Sequence, residues 1–181
     1  SPLLTMLFGA TNDSVYLSPA PFYHAAPLRF CMAAQQLGAT VVAMEHFDPE
    51  QYLALAQRYG ATVSQVVPTM FVRLLKLPAE VRQRYDISSI RWVTHTGAPC
   101  PAEIKRQFMD WWGPVVYETY GGTEVGTATL ATPQDALRYP GSVGVPTPGT
   151  QMAFYDEAGH RLPEGEIGEI YMRVPVYADF T

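Results

Sequence analysis

The chain has 181 residues, of which 48% are hydrophobic and 16% are charged. This composition supplies ample apolar material for a packed core and is not typical of a disordered chain. The formal net charge of −5 disfavours nucleic acids and anionic membranes as partners, because the overall field does not attract either. Phosphate ligands are not excluded, since backbone amides and a metal ion bind them without net positive charge.

Two further features concern the cellular setting. No apolar run approaches the length of a transmembrane segment. Cys31 and Cys100 are far apart and form no Cys-x-x-Cys pair, so neither a disulfide framework nor a zinc site is expected. A reducing, cytoplasmic compartment fits this pattern best. The sequence leaves the oligomeric state open.

Short apolar strands alternate with helices over the first two thirds of the chain. A strand is predicted at 14–17, and a helix from about Ala25 to Leu37, which Gly38 ends in a left-handed conformation. The continuous apolar run 40–44 predicts a strand that is buried on both faces.

The next helix has the clearest start in the sequence. Asp48 is placed to cap it, Pro49 suits its first position, and Gln51 completes an Asp-x-x-Gln capping box. An apolar stripe follows, and Gly60 is expected to end the helix.

Further strands are predicted at 62–67, 90–94 and 115–120, with helices that begin at Pro68 and Pro101. Strand–helix–strand alternation with short connections predicts an α/β fold of parallel βαβ units.

From about Tyr139 glycine and proline become dense and no helical period remains. Segments 151–155 and 169–174 predict antiparallel strands, with a turn at 156–159 between them. We therefore expect a parallel βαβ sheet unit at 1–137. The start of an antiparallel, β-barrel-like unit, incomplete in this chain, is expected at 138–181.

The motif Tyr120-Gly121-Gly122-Thr123-Glu124 directly follows the strand 115–120. Ligands of open α/β sheets bind outside the carboxyl ends of strands, where this motif lies. The glycines let the backbone approach a ligand, Thr123 offers a hydroxyl, and Glu124 offers a hard oxygen for Mg²⁺. On spacing alone, an ordinary turn with a solvent-facing Glu is the more common structure.

Four more segments favour a ligand site over an ordinary turn, because they occur together with the motif in a fixed order. They are Pro-Phe-Tyr-His at 21–24, a strand ending in Gly-Ala-Pro at 91–99, and Gly-rich or Glu-rich stretches at 141–149 and 163–170. With these four segments and Tyr-Gly-x-Thr-Glu at 120–124, in this order, the chain resembles the large N-terminal portion of the AMP-forming adenylating enzymes. That superfamily includes acyl-CoA synthetases, luciferases and peptide-synthetase adenylation domains.

The resemblance implies a nucleotide site. Tyr120 would stack on the adenine and Gly121 would let the backbone approach it, while Glu118 and Thr119 would lie at its edge. Gly97, Ala98 and Pro99 would line the adenine and acyl pocket.

The resemblance also implies catalytic residues. Thr123 would hydrogen-bond the α-phosphate, Glu124 would hold Mg²⁺, and His24 would lie beside the acyl carboxylate or gate the acyl tunnel. By contrast, the resemblance gives His95 no role, and Cys100 lacks an adjacent base in sequence. We expect a buried structural imidazole for the first and an inert thiol for the second.

The implied activity is that of an acid–thiol ligase that uses ATP, Mg²⁺ and CoA and forms an acyl-AMP from a small-molecule carboxylic acid, with fatty or other aliphatic and aromatic acids as candidates. Stretches 169–175 and 177–181 resemble fatty-acid-CoA ligases, which suggests fatty-acid and lipid metabolism. Two alternatives stay open: loading of a carrier-protein phosphopantetheine, and a non-catalytic α/β module that binds a nucleotide or an acyl group.

The resemblance also has gaps. The family's phosphate-binding loop is expected before Ser1, and the Asp of its Thr-Gly-Asp motif after Thr181. The family's small C-terminal domain with its catalytic Lys is not found in this sequence either. We therefore expect a fragment of a longer enzyme that does not catalyse the full reaction by itself.

Overall fold

The computed structural model describes residues 4–5 and 8–174. Its strands are β1 (Val15–Ser18), β2 (Thr40–Ala43), β3 (Val63–Val66), β4 (Trp92–His95), β5 (Val116–Gly122), β6 (Gly126–Ala131), β7 (Val145–Pro146), β8 (Gln151–Tyr155) and β9 (Glu169–Arg173). The helices that we number are α1 (Ala25–Gln36), α2 (Pro49–Tyr59), α3 (Pro68–Leu75), α4 (Ala79–Arg82), α5 (Ala102–Trp112) and α6 (Pro133–Arg138).

The strands form two sheets. The larger has the order β2-β1-β3-β4-β5-β6-β7. Its first five strands are parallel, and β6 and β7 are added antiparallel at one edge. The smaller sheet is the antiparallel pair β8–β9. The predicted α/β fold, a parallel βαβ sheet followed by an antiparallel β unit, is confirmed. Because β7 extends the larger sheet beyond residue 138, the division into 1–137 and 138–181 stays a prediction.

Helices cover both faces of the larger sheet. The strand order reverses between β1 and β3, so that α1 lies on one face and α2, α3 and α5 lie on the other. Phe30 of α1 packs with Trp92 and Tyr16 on the first face. On the second face, Phe71 of α3 packs against Phe108 of α5, with ring centroids 4.3 Å apart. In sheets wound in this way, the point of reversal opens a crevice at the carboxyl ends of the strands.

Two local predictions need correction. The apolar run 40–44 does not form a strand buried on both faces: β2 is an edge strand of the described sheet, with Thr40 and Ala43 exposed. An apolar run reports hydrophobicity but not the strand's place in the sheet. The strand at 115–120 does not end before the glycines either, because β5 continues through Gly122 and pairs with β6.

The predicted Asp48 cap, first-turn proline and terminal glycine of α2 are confirmed, whereas the reciprocal bond from the Gln51 side chain that a capping box requires is not seen. The Asp48 side chain accepts a hydrogen bond of 2.8 Å from the backbone N–H of Gln51. Pro49 occupies the first turn, and Gly60 ends the helix with φ +60°. This cap satisfies one of the backbone donors that a helix start leaves without a partner.

We expect Asp48→Ala to lower the free energy of unfolding by about 1 kcal/mol, because the capping acceptor is lost. Denaturant-induced unfolding, followed by circular dichroism, measures the change. Asp48→Asn is the matched control: it keeps an oxygen acceptor at the same place and is expected to retain most of the stability. An equal loss in both variants would show that charge, and not the cap, matters here.

Candidate functional site

The predicted site residues come together at one edge of the larger sheet. His24 follows β1, Gly97–Pro99 follow β4, and Tyr120–Glu124 form the far end of β5 and the turn after it. Since β1, β4 and β5 run parallel, these segments all lie at the carboxyl ends of their strands. His24, Gly97–Pro99 and Gly121–Glu124 are exposed, and Tyr120 is half-buried. The edge is therefore accessible to a ligand from several loops at once.

The Tyr120–Glu124 motif belongs to a β-hairpin. β5 and β6 pair antiparallel, their register shifts between Tyr120 and Gly121, and residues 123–125 form the turn. A Cβ on Gly121 would lie 1.8 Å from the carbonyl oxygen of Gly126. The close approach that Gly121 permits in this structure is thus to the partner strand of its own hairpin. Its predicted contact with a nucleotide stays a prediction.

The hairpin turn also contacts α1, the helix that starts immediately after His24. Arg29 donates from Nη2 to the carbonyl oxygen of Thr123 at 3.5 Å. This contact brings Thr123, the predicted α-phosphate ligand, to the helix that begins immediately after the predicted acyl-site histidine. The β1 and β5 ends of the site are therefore linked by a contact as well as by the sheet.

The Gly97–Pro99 loop connects β4 to α5. Gly97 has φ +86°, a left-handed conformation that a residue with a side chain rarely adopts, and a Cβ there would find only Val67 within 4 Å. The glycine is therefore required by the turn of the backbone rather than by a lack of space. The loop leaves its small residues exposed at the sheet edge.

Glu118 lies below these loops in a buried charged cluster. Its Oε2 is 2.5 Å from Lys105 Nζ and 3.4 Å from His95 Nε2. Burial by itself raises the pKa of Glu118, but the close approach of His95 Nε2 and Lys105 Nζ outweighs it, so this pKa lies below its ordinary value. The Glu118 carboxylate is thus engaged within the protein, and its predicted place at the adenine edge stays a prediction.

Sequence reasoning did not find Lys105 and gave His95 no role. Lys105 is 2% exposed and His95 is fully buried. A lysine normally indicates the solvent face of a helix, but Lys105 lies three and four residues before Phe108 and Met109, on the stripe that α5 buries. This spacing is the signal that could have found it, and it separates Lys105 from the exposed Arg106. Only a buried carboxylate on the neighbouring strand explains why a lysine is buried here.

Cys100 stands next to this cluster as a buried, free thiol. Burial raises its pKa to about 11, while Lys105 lowers it and Glu118 raises it. A thiol with such a pKa is a poor nucleophile at neutral pH, in keeping with the inert role expected from the sequence. Cys31 is also free and buried.

Glu124 is exposed in the hairpin turn. Within 4–5 and 8–174, no group of three or more His, Cys, Asp or Glu side chains is placed to hold a metal ion. A single carboxylate such as that of Glu124 is sufficient as the protein ligand of a Mg²⁺ ion in a nucleotide site. Phosphate oxygens and water usually complete the coordination of Mg²⁺ in such sites.

The described part of the chain has no helix with both the length and the apolar character that crossing a membrane requires.

Comparison with known families assigns the chain to one family. Residues 3–178 match the model of the AMP-binding enzyme family. The chain belongs to this family, as its motifs predict. Among characterised relatives, it is 32% identical over 161 residues to a long-chain-fatty-acid–CoA ligase of Bacillus subtilis (strain 168), covering 88% of this chain and 28% of that enzyme. It is 31% identical over 166 residues to a feruloyl-CoA synthase of an Amycolatopsis species, covering 91% and 33%.

Solved structures agree with this assignment. The ATP-bound MatB of Rhodopseudomonas palustris superimposes with a TM-score of 0.82 at 32% identity, over 95% of this chain and 34% of that one. The amide bond synthetase McbA of Marinactinospora thermotolerans gives 0.83 at 30% identity, over 90% and 33%. The chain thus spans about a third of the length of the relatives it matches.

We expect Gly121→Ala to destabilise the protein by about 3 kcal/mol, because the new methyl group would push the two hairpin backbones apart. The free energy of unfolding measures the loss. Gly122→Ala is the matched control: its Cβ would meet only the Val125 side chain, at 3.7 Å, so its effect should stay within about 0.5 kcal/mol. Similar effects of the two substitutions would contradict the proposed backbone contact.

Glu118 should make stability depend on pH in the acid range. Because its folded-state pKa is lowered, its contribution is present above the ordinary value of 4.5 and is lost as pH falls through the lowered value. We expect the free energy of unfolding to fall less steeply below pH 4.5 in Glu118→Gln than in the unmodified protein. Chemical unfolding at a series of pH values provides the test; parallel curves would contradict the role of this carboxylate.

Proposed function

We propose that the complete protein is an AMP-forming acid–thiol ligase that activates a carboxylic acid as an acyl-adenylate and transfers the acyl group to CoA. One observation carries this proposal. In a member of the AMP-binding enzyme family, the β4 loop, the β5 hairpin and the segment after β1 meet at one accessible sheet edge. Such an edge can receive a nucleotide and a carboxylic acid side by side.

The first step joins two anions. The substrate carboxylate attacks the α-phosphorus of ATP, and pyrophosphate leaves, so catalysis depends on positioning and on neutralising charge. In this proposal Thr123 donates its hydroxyl to the α-phosphate and Glu124 provides the protein ligand of Mg²⁺. Tyr120, half-buried at the root of the turn, stacks on the adenine, between the hairpin and the Gly97–Pro99 loop.

The second step uses the reactivity of the acyl-AMP. A thiolate attacks the acyl carbon of this mixed anhydride and AMP leaves. Water must be kept away from the intermediate. In this proposal His24 serves the acid side of the site. It precedes α1, its ring centroid lies 4.6 Å from that of Tyr23, and Phe22 is the residue before Tyr23 in the sequence. These rings provide apolar surface beside the carboxylate.

The names of the relatives support an acid-activating enzyme, although the acids and acceptors in these names differ. One is named for long-chain fatty acids, one for feruloyl-CoA and one for amide bond synthesis. Fatty or other aliphatic and aromatic acids are therefore the proposed substrates, with CoA as the first acceptor to test. The two free cysteines support a reducing, cytoplasmic setting.

The complete protein should be assayed with ATP, Mg²⁺ and a panel of aliphatic and aromatic acids, by exchange of labelled pyrophosphate into ATP. CoA and a phosphopantetheine-bearing carrier protein are then offered separately as acceptors, and thioester products are identified by mass spectrometry. Exchange together with an acyl-CoA product supports the proposal. A thioester on the carrier alone would replace CoA as acceptor, and nucleotide binding without exchange would indicate a non-catalytic module.

We expect Glu124→Gln to lower the rate of pyrophosphate exchange by about 100-fold, because the metal loses its protein ligand. Higher Mg²⁺ concentrations should recover part of the activity. Glu157→Gln serves as control: it removes the same charge from an exposed position in the turn after β8 and should leave the rate unchanged. Equal rates in the two variants would remove Glu124 from the mechanism.

A further inference from the structure

Three ionisable side chains, which we call the charged trio, are buried together beneath the candidate site. His95 is 0% exposed, Lys105 2% and Glu118 7%. Taking charges out of water costs free energy, and apolar groups of similar volume often give equal or greater stability than a buried ion pair. The buried ion pair of Lys105 with Glu118, beside the buried His95, is therefore poorly explained by stability alone.

The trio is arranged around the Gly97–Pro99 loop. His95 is the last residue of β4, before the loop, and Lys105 lies in the first turns of α5, after the loop. Both reach the same oxygen of Glu118, at 3.4 Å from His95 Nε2 and 2.5 Å from Lys105 Nζ. The two ends of the loop are thereby held by one carboxylate.

That carboxylate belongs to the strand that carries the other nucleotide segment. Glu118 is the register partner of His95 in the parallel pairing of β4 with β5. Tyr120 follows Glu118 by two residues on the same strand. One oxygen atom therefore links both ends of the β4 loop to the strand from which the hairpin turn extends.

Apolar groups lie next to His95. The Phe71 ring meets the His95 ring edge-on, with centroids 5.7 Å apart, and Val66 is the other register partner of His95. Cys100 is the further titratable group beside the trio. Neither nitrogen of His95 has a hydrogen bond in the structure, so its 3.4 Å approach to Glu118 is its closest link to a charge. Burial strengthens such an electrostatic contact, because the local dielectric is lower than that of water.

We propose that the charged trio is a positioning device that holds the Gly97–Pro99 loop and the Tyr120–Glu124 hairpin at the separation that adenylate binding requires. The proposal rests on the proposed function. None of the three residues touches the nucleotide in this role; they act through the segments that follow them. Displacements near 1 Å in such segments are enough to reduce catalysis strongly.

The test uses the complete protein and three variants. Lys105→Met removes the buried cation, and Lys105→Met/Glu118→Gln removes both charges at similar volume. Arg106→Met is the control, because it removes a cation one residue away whose partners are the exposed Glu103 and Asp110. AMP affinity is measured by calorimetry, KM is measured for ATP and for CoA, and thermal unfolding reports stability.

The expected result separates positioning from stability. Lys105→Met should raise the Kd for AMP and the KM for ATP about tenfold or more, with a smaller change in the KM for CoA. The double variant should recover thermal stability, because no unpaired charge stays buried, while the Kd for AMP stays raised. Arg106→Met should match the unmodified protein in every measurement. The double variant decides the question even if Lys105→Met does not fold.

Two results would overturn the proposal. A double variant that recovers both stability and AMP affinity would show that the trio only stabilises the fold. A folded Lys105→Met that binds AMP as Arg106→Met does would show that the trio is not coupled to the site. If the unmodified protein neither binds AMP nor exchanges pyrophosphate, the proposed function fails and this proposal fails with it; normal activity in all variants refutes this proposal alone.

Discussion

The parallel pairing of β1, β3, β4 and β5 is the constraint on which the candidate site depends. Parallel strands place all their carboxyl ends at one edge, so residues far apart in sequence become neighbours without any specific contact between them. His24 and Glu124 are separated by 100 positions, yet both follow strands of this one set. A change that tilted β4 against β5 would separate the two proposed nucleotide segments, although it touched neither of them.

The antiparallel extension of the sheet serves the same edge. Gly121 lets β5 and β6 approach closely, and Gly144 does the same for the next segment: a Cβ there would lie 1.9 Å from the carbonyl oxygen of Leu130. Thr129 Oγ1 donates to the carbonyl oxygen of Val143 at 2.6 Å and fixes this segment on β6. The Gly-rich stretch 141–149 thus packs against β6, the second strand of the hairpin. Gly144 is explained by this contact between backbones, whereas Gly141 and Gly149 are explained by their left-handed conformations, with φ +89° and +81°.

Much of the fold could be predicted because its signals are local. The Asp48 cap and the glycines that end helices act within a few residues, and alternation of strands and helices is enough to predict parallel pairing. The α6 helix was missed although Thr132 and Asp135 form a reciprocal capping box at its start; its six residues are too few to show a period. The edge position of β2 was missed for a different reason, since strand order is a property of the whole chain and not of one segment.

In the site, too, local features could be predicted from the sequence and features that depend on the whole fold could not. Its exposed residues carry motifs, and motifs can be read from a sequence, which is why the loop at 97–99 and the hairpin at 120–124 were found. The residues beneath them carry none. Lys105 lies on the buried stripe of α5 without a partner on its own helix face, and His95 looks like the end of an apolar strand; only the fold shows that both reach Glu118. Local rules are expected to fail where a protein accepts a cost in stability for another purpose. A buried lysine between two segments of a proposed nucleotide site is such a place, and the cost of its burial is the physical reason to look for its role in the reaction rather than in the core.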